Sequence, residues 1–205
     1  MGSGLARNLA KAGHRILLAG QNQSKLNDLL VSITAATPEV DVEILDCSKE
    51  ASWEADIVIP AVPYQVEKEV AARIKDVVTG KIVVSISNPL NQTYDGLVTE
   101  PTTSAAEELS KLLPYSKVVK AFNTVSAEDF NTPEVGGSIV DCFVAGDDEE
   151  AVATVSGLVQ DAGFNPVVVG KLPVSRTLES MMALLIGLTM KNNYGWSVGW
   201  KVLHQ

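Results

Sequence analysis

The residues of this chain best suited to chemistry are small or amide-bearing, and they recur where apolar runs stop. GSGLA (2–6) stands at the start, GQNQSK (20–25) closes RILLAG, AVPYQ (61–65) closes ADIVIPAVP, and SNPL (87–90) and KAFNT (120–124) follow the next two apolar runs. A Gly pair ahead of a helix, here Gly2 with Ser3 and Gly4, lets a pyrophosphate approach the backbone and rest on the helix N-terminus. The same pair is also an ordinary helix start or a tag-like terminus. Small Ala61 and rigid Pro63, with Val62 and Tyr64, bring backbone close to a flat ring, or simply turn a strand into a helix. Ser87 and Asn88, with Ala121 and Asn123, offer polar contacts to a carboxamide, while an Asn before Pro or Thr equally satisfies turn backbone. One such strand end is uninformative; three in register outline a crevice.

The second of these loops bears on coenzyme choice. An Asp or Glu at the end of a second Rossmann strand would accept from both ribose hydroxyls and repel a 2′-phosphate. This loop has no acid before Asp28 and supplies Gly20, Gln21, Asn22, Ser24 and Lys25, which favours NADP over NAD. Lys25 is the cation close enough to pair the phosphate, or it is only solvated. Ser24 either bonds the phosphate or caps the helix that starts there.

Other chemistries lack their residues. His14 and His204 are the only histidines, one beside a helix end and one near the C-terminus, so a Ser-His-Asp or Cys-His site is not expected. Cys47 and Cys142 have no CxxC or metal-ligand spacing and read as reduced, buried thiols of an intracellular protein. No metal cluster is expected. The carboxylates fall mainly in amphipathic helices, with no evident inward pair. A formal charge of -9 speaks against a nucleic-acid partner, so phosphate binding must be local. MMALLIGLTM (181–190) is too short to cross a bilayer, and the expected location is soluble and cytoplasmic. A crevice of backbone and amides suits a cofactor that carries its own reactivity, because hydride transfer needs positioning more than proton transfer.

The elements that must hold these loops alternate along the chain. Leu5, Leu9 and Ala12 share one face of a helix ending at Gly13, and RILLAG is an apolar strand. SKLNDLLVSITAA, VEKEVAARIKDVV, SAAEELSKLL and DDEEAVATVSGLVQDAG read as helices. Between them, Val42 to Leu45, ADIVIPAVP, KIVVSIS, KVVKAF, VDCFVAG and NPVVVG read as strands. Strands alternating with helices of 10–15 residues imply βαβ units and an α/β fold, a doubly wound, mostly parallel Rossmann-like sheet flanked by helices. Residues 1–170 form the expected dinucleotide-binding domain and 171–205 a C-terminal helix and tail of the same compact unit. The helix from about Leu178 to Lys191 is apolar nearly all round, so it is covered by the chain's own core or by a second subunit.

Taken together, GSGLARNLAKAGH, the AGQNQSK loop, DIVIPAVP, SISNPL and VVKAFNT resemble the deazaflavin (coenzyme F420)-dependent NADP oxidoreductase family over nearly the whole chain. The resemblance implies an NADPH-dependent oxidoreductase that passes hydride between NADP(H) and a flavin- or deazaflavin-like acceptor. It places the acceptor in a cleft lined by the later loops and the C-terminal segment. The alternative is a non-catalytic NADP(H) sensor acting through a protein partner. A homodimer is expected, and Trp196 and Trp200 either stack on the acceptor ring or seal the core. Two departures stand out. Family members begin with a strand and a GxGxxG turn, whereas this sequence starts at what resembles the third glycine, Gly2, so the first strand of the sheet is expected to be missing. The family's Ser-Arg pair followed by Lys is matched here by Gly20, Gln21 and Lys25, which removes the fork of an arginine. The chain is therefore expected to bind NADPH far more weakly than a version extended by about ten N-terminal residues carrying a strand and GxG turn. Titration giving equal affinities for the two would contradict this.

Overall fold

The computed structural model describes residues 1–203, so His204 lies outside the described residues. Helix α1 (Gly2–Lys11) buries Leu5, Leu9 and Ala10, and the chain turns away from it at Gly13, whose φ of +91° suits glycine. Ala12 is exposed, one residue past the helix. Strand β1 (Ile16–Leu18) pairs in parallel with β2 (Val42–Ile44), and α2 (Gln23–Ala36) crosses between them with Leu29 and Ile33 inward. The cap of α2 is Asn22, whose side chain accepts from Lys25 N at 3.0 Å; Ser24 already lies inside the helix. A short helix, α3 (Ser48–Glu54), then precedes β3 (Ile57–Val58). Its seven residues are too few for a periodic signal.

The remaining elements are α4 (Tyr64–Ile74), β4 (Ile82–Ser85), α5 (Ala105–Leu112), β5 (Lys117–Lys120), β6 (Glu134–Val135), β7 (Ser138–Ile139), β8 (Asp141–Gly146), α6 (Glu149–Asp161), β9 (Asn165–Gly170) and α7 (Ser175–Asn192). Strands β3, β4, β5, β8 and β9 form one five-stranded sheet in that order, parallel except where β8 runs antiparallel to β5. The link from β5 to β8 carries only a one-turn helix (Glu128–Phe130) and the β6–β7 hairpin, not a crossover helix, which permits the reversal. The expected sheet is thus mostly parallel, but it is divided. Strands β1 and β2 make a separate pair, and β1 and β3 each keep one edge unpaired. A cavity of about 510 Å³ lies between those edges, lined by Ile16 and Leu18 on one side and Ile57 and Ile59 on the other.

The core fills both faces of the larger sheet. Val84, Val119, Cys142 and Val144 meet α1 and α6 on one side, and Val83 and Val118 meet α4 and α5 on the other. Cys142 is fully buried, its thiol pushed up to about 12 by desolvation, but Cys47 is exposed because it stands just ahead of α3 on the surface. The last helix is less covered than its composition suggests. Leu178, Leu185 and Ile186 face inward, whereas Leu184, Leu188 and Met190 are exposed. Trp200 packs beside Phe143 and Leu178, while Trp196 remains exposed.

Phe130 fixes the start of the chain. Its ring stands edge-on to Phe164 with centroids 5.0 Å apart, and a Cβ on Gly4 would come within 2.7 Å of its own Cβ. Asn8 Nδ2 donates to Phe130 O and to Ala162 O at 3.0 and 2.9 Å, so α1 is pinned to the same corner. Replacing Phe130 with Ala is expected to lower unfolding free energy by about 3–5 kcal/mol in urea titrations. A loss below about 1 kcal/mol would show that this corner relaxes without cost.

Candidate functional site

The strand-end loops gather into two adjoining clusters. In the first, Gly2 and Ser3 of α1, Ala19 just after β1 and Ala61 just after β3 line one cavity. A Cβ on Gly2 would sit 2.8 Å from that of Ala61, so glycine is what lets the helix end approach the strand end. Met1 offers no side-chain cap to α1, and the first helical N–H groups stay available to an anion. Gly20, Gln21, Asn22, Ser24 and Lys25 are exposed beside Ala19, with Leu26 tucked inward below Gly20. This geometry fits a pyrophosphate on α1 and a ribose phosphate beside Lys25.

The second cluster is buried and polar. Lys120, at the C-terminal end of β5, has no exposed surface. Its Nζ donates to Ser87 O at 2.6 Å and to Glu179 Oε1 of α7 at 2.7 Å. The Glu179 carboxylate also accepts from Ala105 N at 3.1 Å and Ala106 N at 3.4 Å, capping the first turn of α5 from another helix. Three residues on, Asn123 Nδ2 donates to Asn88 Oδ1 at 2.9 Å and to Leu178 O at 3.1 Å, and Asn88 Nδ2 donates back to Asn123 O. Lys120 and Asn123 therefore bind consecutive residues of the same two partners, Ser87–Asn88 and Leu178–Glu179. Ala121 and Asn123 are fully buried, so they support this cluster from below, while Asn88 is half-buried. Between the clusters, Ala61 and Pro63 are exposed, Val62 and Tyr64 are half-buried, and Tyr64 Oη donates to Glu108 Oε2 at 2.6 Å.

Buried carboxyls are the feature that sequence reasoning missed. Glu67, one turn into α4 from Tyr64, is 4% exposed, and its Oε1 has no hydrogen-bond partner. Burial raises its pKa to about 7, against the opposing pull of the Ser87 hydroxyl and the Lys120 ammonium. Desolvation lowers Lys120, and Glu179 opposes that shift. Tyr64 is raised by burial and then by its bond to Glu108. The amphipathic helices thus do send two carboxyls inward, Glu67 and Glu179, to one lysine. For Glu179 the signal was a Glu within an apolar helix; Glu67 gave none. Among the described residues, no group of three or more His, Cys, Asp or Glu is placed to hold a metal ion, and no helix is long and apolar enough to cross a membrane. His14 Nε2 lies 2.7 Å from Asp161 Oδ2 in an exposed pair.

The arrangement is that of a dinucleotide-binding α/β protein, with a helix N-terminus beside a row of strand ends. A family model described as NADP oxidoreductase, coenzyme F420-dependent, matches residues 1–89. The F420-dependent NADP reductase of Methanocaldococcus jannaschii is 34% identical over 203 residues, covering 93% of this chain and 88% of that protein. The chain belongs to the F420-dependent NADP reductase family. A solved structure from Arthrobacter sp. FB24 shares the fold with a TM-score of 0.84 at 23% identity, over 99% of this chain and 94% of that one. A hypothetical protein from Sinorhizobium meliloti aligns with a TM-score of 0.70 at 30% identity, over 85% and 82%.

Because the Glu67 pKa is raised in the fold, its stabilising contribution is complete below about 4.5 and is lost as pH rises through about 7. Replacing Glu67 with Gln should therefore help stability more at pH 8 than at pH 5, by about 2–3 kcal/mol in urea midpoints converted to free energy. Equal effects at the two pH values would place an ordinary carboxylate there.

Proposed function

We propose that this chain is an NADP-dependent oxidoreductase that passes hydride between NADP(H) and a deazaflavin ring. The observation that carries the reading is the uncapped N-terminus of α1 held against Ala61 by Gly2, in one cavity with the end of β1. In this reading Gly2 and Ser3 take the pyrophosphate on backbone N–H groups, and Gly20, Gln21, Asn22, Ser24 and Lys25 surround the adenosine ribose and its phosphate. Lys25 supplies charge without an arginine's fork, so selectivity against NAD rests on attraction by one cation and on the absence of an acid in the loop. Ala61, Val62, Pro63 and Tyr64 form one wall for the nicotinamide, with Ser87 and Asn88 as the other. Ala121 and Asn123 hold that second wall in place.

The bound nicotinamide supplies the hydride, so the protein's task is to orient two rings and exclude water. The Asn88–Asn123 pair and the buried Lys120 tether fix the wall from beneath, which suits that task. Residues 1–170 carry the coenzyme site, and 171–205 brace it through Leu178 and Glu179 of α7. Exposed Leu184, Leu188 and Met190 on α7 suit the interface of a homodimer. A soluble cytoplasmic protein with a small-molecule redox acceptor fits this reading.

Stopped-flow mixing of the NADPH-loaded protein with a deazaflavin, FMN and FAD tests it. Acceptor-dependent loss of nicotinamide absorbance, fastest with the deazaflavin, is expected. Saturable binding with no oxidation by any ring would point instead to a sensor of the NADP/NADPH ratio. Replacing Lys25 with Ala is expected to raise the Kd for NADPH about tenfold and leave that for NADH unchanged. An unchanged NADPH affinity would remove Lys25 from the phosphate site.

A further inference from the structure

The polar cluster under the nicotinamide wall contains more charge than structural tethering needs. Lys120 and Glu179 suffice to join β5, the Ser87 loop, α5 and α7. Glu67 supplies none of the hydrogen bonds that join those elements, yet it is buried beside the same groups with Oε1 unpartnered. A glutamate in such a position is costly as an anion and would be replaced without loss by an apolar side chain if packing were its task. Its surroundings are Lys120 from β5, Glu179 from α7, Glu108 from α5, Tyr64 from its own helix and the Ser87 loop after β4. With Lys120 and Glu179 paired, loss of the Glu67 proton adds one negative charge to a cluster that already includes Glu108.

The nicotinamide ring changes charge in the complementary way. It is neutral in the reduced coenzyme and positive in the oxidised one. Tyr64 and Glu67 lie three residues apart on α4 and so share a face of that helix, and Ser87 lies on the opposite wall. We propose that Glu67 is an electrostatic counterweight to the nicotinamide ring, ionised when the ring is oxidised and protonated when it is reduced, so that coenzyme redox state and one buried proton are linked. This inference rests on the nicotinamide seat assigned above. Glu67 need not touch the ring, because a charge in a poorly hydrated setting is felt over several ångströms. Its pKa of about 7 lets either state exist near neutrality. The linkage is reciprocal: a positive ring favours the anion, and the anion favours the positive ring.

The sign follows directly. As pH rises through about 7 and Glu67 ionises, affinity for NADP⁺ rises relative to NADPH. The 2′-phosphate, which titrates near pH 6, is common to both coenzymes and cancels in their ratio. Between pH 6 and pH 8.5, the ratio of Kd for NADP⁺ to Kd for NADPH is expected to fall by about tenfold for each pH unit by which the ring's charge displaces the Glu67 titration.

The test uses the wild-type chain and both coenzymes. Calorimetric titration at pH 7 in two buffers of different ionisation enthalpy should show more protons released on binding NADP⁺ than on binding NADPH. The Kd ratio should fall with pH, and Glu67→Gln should flatten the ratio while still binding both coenzymes. Equal proton release by the wild-type chain, or a pH-independent ratio, overturns the inference and leaves the coenzyme site standing. Failure to bind either coenzyme overturns the site and the inference together. Should Glu67→Gln not fold, the wild-type proton count alone decides.

Discussion

A lysine ammonium buried at the end of a central strand is the constraint on which the rest of this structure depends. Lys120 cannot stay charged in a core without partners, because desolvation alone would strip its proton. Its two partners come from distant parts of the sequence, the Ser87 carbonyl after β4 and Glu179 in α7. Satisfying one cation therefore fixes the loop that walls the crevice and docks the last helix against the sheet. The Glu179 carboxylate has capacity left over, and it is used on two N–H groups at the start of α5. Four elements are tied by a single ion pair.

Around that tether, the proposed site divides its tasks between buried, paired groups and an exposed loop. In the proposed reading, the coenzyme's phosphates meet a helix end and a small exposed loop in which Lys25 is the cation. In the same reading, the ring meets walls whose positions are set by hydrogen bonds among Asn88, Asn123 and Leu178. Cheap, screened charge is enough at the phosphate end, where water remains. Orientation matters at the ring end, and there the polar groups are buried and paired. The split between β1–β2 and the larger sheet falls at the same place, since the cavity joining their open edges reaches Gly2, Ser3 and Ala61.

Much of this was legible in the sequence because it is local. Alternating apolar runs placed the helices and strands, since a strand buried on both faces reads as a continuous run such as KIVVSIS. The strand-end loops followed from the same pattern. What escaped depends on tertiary neighbours. Lys120 closes KVVK as a charged residue at a strand end, where exposure is the ordinary expectation, and only the Glu179 of a helix 59 residues later makes its burial tolerable. Glu67 sits among charged residues of α4 and gives no sign of facing inward. The reversal of β8 against β5 lies in what the connecting segment lacks, a crossover helix. Cys47 was expected inside because cysteines usually are, but it stands on the surface ahead of α3.

The account's central claim is that separate strand ends make one nucleotide slot. Backbone amide resonances followed during an NADPH titration address it most directly. The account predicts progressive shifts at Gly2, Ser3, Gly20 to Lys25, Ala61, Val62, Tyr64 and Asn88, all fitting a single Kd. Shifts confined to other parts of the surface, or two groups of residues saturating at different concentrations, would contradict it.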